Sequence, residues 1–213
     1  MSEPPNAPKV RNRIENLSDL VFGLALSIGS IVLISKLPQS PTDLVMGIEI
    51  FGFSFLLVVW IWGSYTAVMT ALPLEAPGTY LLNVILLFCV AVEPYLFYVQ
   101  QEAQRPFLEF AAAVYALDVG AMLFILAGLD RILLSEERRG GLHDLPPARL
   151  RRFRWSGVAL SIGGAVFVVS ALPVFWTPVP LGEYLRFDMW YVVIVVLLVV
   201  PRLGRRQADS RNL

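Results

Sequence analysis

The sequence has few of the side chains from which disulfides, metal centres and charged binding surfaces are built. It contains one cysteine and one histidine among 213 residues, which excludes an intramolecular disulfide framework and counts against a histidine-rich zinc site. Only 16% of the residues are charged, and 17 basic side chains balance 17 acidic ones. A chain without net charge has no global field to attract a polyanion, so we expect no nucleic-acid partner.

Long hydrophobic runs stand where a soluble protein would carry charge. Hydrophobic residues make up 56% of the chain, whereas soluble domains contain about 45–50%. Six runs are long enough to cross a bilayer as helices of about 20 residues, and none alternates with the period of two typical of a barrel strand. They are Leu17–Leu37, Ile48–Leu72, Tyr80–Val99, Phe107–Leu129, Ser156–Val174 and Met189–Val200. The predicted fold class is an all-α integral membrane protein with six transmembrane helices.

Basic residues fall mainly on one side of these runs. The N-terminal segment, the loop between helices four and five and the C-terminal tail carry fourteen lysines and arginines, whereas the other side carries Lys36, Arg105 and Arg186. Because cytoplasmic loops are enriched in lysine and arginine, both termini are predicted to be cytoplasmic.

No pattern in the chain predicts an enzyme. Metalloprotease, nucleophile-elbow and phosphate-loop motifs are all missing. His143 falls in a polar loop, and Cys89 lies in an apolar run where a small buried side chain is the simpler interpretation. We therefore expect no catalytic residue, no cofactor and no resident metal ion.

Two acidic residues, Glu93 and Asp118, fall at membrane depth, where an ionisable group is costly and is a functional candidate. Glu93 precedes Pro94 near the extracytoplasmic end of its run and is expected to reach water. Asp118 is closer to the middle and is expected to bond a neighbouring helix. Packing or hydrogen bonding explains either residue more simply than ion transport does.

The first run contains the most informative pattern. Asn12 is a candidate N-cap, with Glu15 in the capping-box position. Hydroxyl groups then alternate with aliphatic side chains along one face, at Leu24, Ser27, Ile28, Ile31 and Ser35. Several copies of this helix around an axis would form apolar constrictions and a ring of hydroxyls, as in a channel. The same stripe also suits plain helix packing, which the spacing alone favours.

The residues Arg13-Ile-Glu-Asn-Leu-Ser-Asp19 resemble the R-x-x-x-F-S-D signature of the transmembrane protein 175 family of potassium channels, with Leu17 in place of phenylalanine. Ser54-Phe55 followed by Trp62 is similar to a pattern in the family's second helix. Asn83 ahead of Pro94-Tyr95 is similar to a pattern in its third helix. Where the family often has Asn-His-His, this chain has Ser-Tyr-Thr at 64–66.

The resemblance, which is to prokaryotic members of the family, implies a homotetramer in the plasma membrane of a prokaryote. Its first helices would line a pore for monovalent cations. Leu24 would form the hydrophobic constriction, Ser27 would contribute to potassium preference, and Ile28 and Ile31 would add apolar layers. A supporting hydrogen-bond network is expected from Arg13, Ser18, Asp19 and Trp62.

These inferences predict a leak-like, potassium-permeable channel in the lipid bilayer, moderately selective for K⁺ over Na⁺. Residues 1–12 would be a cytoplasmic tail, 13–203 the channel domain and 204–213 a second cytoplasmic tail. An ion- or proton-coupled transporter that uses Glu93 and Asp118, and a non-conducting accessory membrane subunit, remain open as alternatives.

Overall fold

A computed structural model describes residues 7–35, 37–73, 76–104, 107–140, 145–177, 184–193 and 195–197. All the regular elements within these ranges are helical. The five long helices are α1 (Ala7–Ser35), α2 (Pro41–Met69), α3 (Thr79–Glu102), α4 (Phe107–Arg138) and α5 (Pro147–Ser170). A 3₁₀ turn, Pro173–Phe175, follows α5, and residues 185–193 and 195–197 are helical and form α6.

All five long helices have the length and apolar composition needed to cross a bilayer, as in a multi-pass membrane protein. Several of them extend past the predicted runs. The first begins at Ala7, inside the segment predicted to be a tail, so Asn12 lies within α1 and is not its N-cap. Pro8 falls in the first turn, where a missing N–H is tolerated. Residues 1–6 and 198–213, which include half of the first predicted tail and all of the second, lie outside the described ranges.

The central helix of the bundle is α4, which has its most extensive contacts with α5 and α3. Small residues allow this close approach. A Cβ atom added at Gly120 of α4 would lie 3.2 Å from the carbonyl oxygen of Gly164 in α5, and the reverse distance is also 3.2 Å. Close backbone contact at small residues is how membrane helices pack without a hydrophobic driving force.

A buried arginine forms hydrogen bonds with the C-terminal end of α5. Arg186 is fully enclosed, and its guanidinium donates to the carbonyl oxygens of Ser170, Ala171 and Leu172 at 2.7–3.3 Å and to that of Glu109 in α4 at 2.9 Å. The last carbonyls of a helix have no partner within it, and a cation also suits the negative end of the helix dipole. Arg186 therefore joins α4, α5 and α6 in addition to contributing to the charge pattern.

Candidate functional site

The described part of α1 has one packed face and one exposed face. Ser18, Phe22 and Ala25 are buried against the rest of the subunit, with exposed fractions of 0%, 1% and 3%. The residues predicted to line a pore lie on the opposite side. These residues, called here the first-helix stripe, are Leu24, Ser27, Ile28 and Ile31.

The first-helix stripe is exposed along its length in the single chain. Leu24 and Ile31 are 58% and 64% exposed, Ile28 is 38% exposed, and Ser27 is also exposed. The hydroxyl of Ser27 donates to the carbonyl oxygen of Gly23 at 2.8 Å. Since a hydroxyl oxygen has two lone pairs besides its single proton, the Ser27 oxygen can still accept a hydrogen bond or contact a cation.

Hydrogen bonds fix the rotation of α1 about its own axis. The indole Nε1 of Trp62 donates to Oδ1 of Asp19 at 2.9 Å. The hydroxyls of Ser18 and Tyr65 are 2.7 Å apart, and Tyr65 donates to Oδ1 of Asn83 at 2.7 Å. These bonds connect α1 to α2 and α2 to α3. The first-helix stripe points away from α2 and α3.

The supporting network differs from the predicted one in two members. Arg13 is exposed and forms no hydrogen bond or ion pair with any residue in the described ranges, so the structure does not bring it together with Ser18, Asp19 and Trp62. Tyr65, one of the three residues that depart from the family pattern, is instead the centre of the network. Its position three residues after Trp62, on the same helical face, is the sequence signal that could have identified it.

A second polar cluster lies inside the bundle. Glu93 is 2% exposed, and its Oε1 accepts hydrogen bonds from Ser54 of α2 at 2.6 Å and from Tyr115 of α4 at 3.2 Å. The expectation that Glu93 reaches water is wrong, because α2 and α4 cover it from two sides. Asp118 is partly buried, and its Oδ2 has no hydrogen-bond partner among the described residues, so the expected bond to a neighbouring helix is not seen at that atom.

A third acidic side chain, Asp130 of α4, is 3% exposed and was not a sequence candidate. It lies against Gly157 of α5, and its Oδ2 has no hydrogen-bond partner among the described residues. Within the same residues, no group of three or more His, Cys, Asp or Glu side chains could hold a metal ion. His143 lies outside the described ranges.

Comparisons of the chain with known protein families, with curated protein sequences and with solved structures give no match. The resemblance to the transmembrane protein 175 family therefore stays a prediction from the residues of the first three helices.

Proposed function

We propose that the chain is the subunit of a potassium-permeable cation channel, a homotetramer in which four copies of α1 surround the pore. The observation that carries the proposal is the position of the first-helix stripe on the exposed face of α1, opposite the face that packs against the bundle. A stripe that faced the bundle could not line a shared axis.

The chemistry of the stripe suits slow, moderately selective conduction. A ring of four Leu24 side chains forms a narrow apolar constriction, which gates by dewetting. One turn further along, four Ser27 oxygens supply acceptor lone pairs that replace part of the hydration shell of a cation. Hydroxyl oxygens in one ring coordinate more weakly than stacked rings of carbonyls, so the preference for K⁺ over Na⁺ is expected to be moderate.

The network around Tyr65 supports the proposal because a pore of this kind requires a defined helix rotation. Residues one position apart on a helix point about 100° away from each other, since one turn takes 3.6 residues. The contacts of Ser18 and Asp19 with α2 hold α1 so that a single set of side chains reaches the axis.

The first test is ion flux from liposomes that contain the purified chain. Flux driven by a potassium gradient should exceed flux driven by an equal sodium gradient. Leu24→Ala should raise the flux several-fold and lower the selectivity, and Ser27→Val should lower the K⁺ preference. Leu117→Ala is the matched control, because Leu117 of α4 is also exposed, at 47%, but lies on another helix. Equal effects of Leu24→Ala and Leu117→Ala would contradict a pore at α1.

Cysteine accessibility gives a sharper test of which face lines the pore. The single native thiol, Cys89, is buried and can be replaced by alanine. In that background, a membrane-impermeant cationic thiol reagent should block the flux of Leu24→Cys and spare Leu117→Cys. A Leu24→Cys channel that the reagent leaves unblocked would mean that this face contacts lipid.

A coupled transporter is the second candidate, favoured by the enclosure of Glu93 between hydroxyl donors and its electrostatic interaction with Asp118. Glu93→Gln keeps an oxygen acceptor for Ser54 and Tyr115 but cannot exchange a proton. A carrier should lose coupled flux in this variant and saturate with substrate, whereas a channel should keep its potassium flux.

A further inference from the structure

The end of the bundle where α4 ends and α5 begins has an excess of positive charge. Residues 130–155 contain seven arginines and four acidic residues. One of the acidic side chains, Asp130, is buried, and another, Glu136, is paired with Arg139. The residues outside the described ranges contain six basic and five acidic side chains in total, so they supply no excess of negative charge. The local field at this end therefore favours an anionic partner.

The exposed apolar face of α4 leads directly to one of these arginines. Every seventh residue on this face is exposed, and the apolar members are Phe110, Leu117 and Phe124, at 63%, 47% and 41%. Arg131 is the next residue at this spacing and is also exposed. The rise from Phe110 to Arg131 is about 32 Å at about 1.5 Å per residue, close to the roughly 30 Å of a hydrocarbon core. When α4 spans a bilayer, Arg131 therefore lies at the level of the lipid headgroups.

The exposed face of α5 has the same arrangement. Val158 and Ile162 are each 43% exposed. Arg154 and Arg151 come four and seven residues before Val158, so they lie on the same face, and both are exposed. Trp155, which is partly buried, follows Arg154, and tryptophan is enriched at the boundary between membrane and water. On α5 as on α4, an apolar face ends in arginine at the level of the headgroups.

The packing of α4 against α5 brings the two sets of arginines to one level. The two helices run antiparallel, and a Cβ atom added at Gly157 would lie 3.4 Å from the Cβ of Asp130. With these two positions side by side, Arg131 and Arg154 lie within one helical turn of each other along the bundle.

The guanidinium groups at this level remain available to a ligand. Arg131 donates to the hydroxyl of Ser161 in α5 at 3.2 Å, which holds its side chain at the boundary between the two helices. A guanidinium has five N–H donors, so most of those of Arg131 stay free. Arg154 forms no hydrogen bond or ion pair with any other residue that the structure describes.

Neither helix stability nor membrane topology explains these positions. Cations are unfavourable near the positive end of a helix dipole, and the first turn of α5 contains no acidic residue to offset its arginines. The enrichment of basic residues in cytoplasmic segments accounts for their number on this side of the membrane. It does not account for their alignment with the exposed apolar faces of both helices.

We propose that Arg131, Arg151 and Arg154 bind the headgroup of an anionic phospholipid whose acyl chains lie along the exposed faces of α4 and α5. A zwitterionic phospholipid offers the same chains and phosphate, but its ammonium group cancels the charge that the arginines attract. The site lies on other helices than the first-helix stripe, and its test measures lipid binding and not flux.

The test compares two lipids that differ in the headgroup alone. The purified full chain, in a non-ionic detergent, is titrated with phosphatidylglycerol or with phosphatidylcholine of identical acyl chains. Native mass spectrometry counts the lipids bound to each subunit and gives the affinity of the first one. Phosphatidylglycerol is expected to bind at least tenfold more tightly than phosphatidylcholine.

Arg154→Gln tests the position of the site, and Arg149→Gln is its matched control. Arg149 is exposed on the same helix, but it comes nine residues before Val158 and so lies on the opposite side of α5. Arg154→Gln should weaken phosphatidylglycerol binding about fivefold, the effect of one basic residue near an anionic surface, and leave phosphatidylcholine binding unchanged. Arg149→Gln should change either affinity less than twofold. Combining Arg154→Gln with Arg131→Gln should remove most of the preference between the two lipids.

Three results would overturn the proposal. Equal binding of the two lipids to the unmodified chain would show that charge does not select the partner. Equal losses in Arg154→Gln and Arg149→Gln would indicate diffuse attraction to the whole end of the bundle. Phosphatidylglycerol binding that Arg154→Gln leaves unchanged would mean that this face is covered by something else, such as a second copy of the chain. The comparison on the unmodified chain decides the question even if the double variant does not fold.

Discussion

The helices α1 and α4 are both apolar enough to cross a bilayer, yet they occupy opposite places in the subunit. In the most apolar window of α4, 61% of the residues are buried, against 17% in that of α1. Hydropathy alone does not set burial, because α2 is at least as apolar as α4 and only 22% of its window is buried. A series of small residues lets neighbouring helices approach α4 closely, at Ala111, Ala112, Ala116, Gly120 and Ala127. Within a membrane, an apolar surface can face lipid or protein, and shape decides between them.

The largest effect on stability is expected when a large side chain is placed at the closest contact of α4. In Gly120→Leu the new Cβ would lie 2.8 Å from Cγ2 of Val168 and 3.2 Å from the Gly164 carbonyl oxygen, which as backbone cannot move aside. We expect the free energy of unfolding to fall by about 3 kcal/mol or more, measured by denaturation in detergent. Gly23→Leu in α1 is the control, because no atom lies within 4 Å of its added Cβ. Similar losses in both variants would mean that α1 is packed as tightly as α4.

Removing the same side chain from each helix gives the next largest difference. Leu123 of α4 is fully buried, whereas Leu24 of α1 is 58% exposed. Leu123→Ala should lower the free energy of unfolding by about 2 kcal/mol, at the lower end of the range for leucine truncations, because lipid competes for the apolar surface. Leu24→Ala should change stability by less than about 0.5 kcal/mol while it changes ion flux. A stability loss at Leu24 comparable with that at Leu123 would indicate that Leu24 is packed, not open to a pore.

A smaller effect is expected at the hydrogen bonds that hold α1 to the bundle. Tyr65→Phe removes the hydroxyl shared by Ser18 and Asn83. The expected loss is about 1 kcal/mol, within the range for buried hydrogen bonds between membrane helices. The potassium selectivity should also fall, because the rotation of α1 is less restricted. Tyr80→Phe on the exposed surface of α3 should change neither property. An unaltered selectivity in Tyr65→Phe would separate the network from the pore.

The smallest effect is expected at the exposed end of the same network. Trp62→Phe breaks the bond from Nε1 to Asp19, which lies at the surface, and should lower the free energy of unfolding by about 0.5 kcal/mol. Asp19→Asn keeps an oxygen acceptor and should leave the bond in place. A double-mutant cycle measures the coupling between the two side chains, and a coupling of zero would remove this pair from the support of α1.

The part of the candidate site that lies on a single helix was predictable from the sequence. Phe22 and Ala25 face the bundle and Leu24 faces away, as helical spacing requires once one face is known to pack. The partner of Asp19 came from the family resemblance, and spacing along the chain does not show which residues 40 positions apart will meet. Tyr65 and the enclosure of Glu93 were missed for that reason, since both depend on how three helices are arranged around one point.

The sequence by itself determined that the chain is a helical membrane protein, and it located all five long helices, because hydropathy and helix length are properties of contiguous segments. Only the tertiary structure decided which helix is central, that Arg186 bonds the last carbonyls of α5 and that α2 and α4 enclose Glu93 of α3. The physical reason is that burial in a bilayer depends on the fit between surfaces far apart in the chain. Two segments of similar hydropathy can differ completely in that fit, as α2 and α4 do.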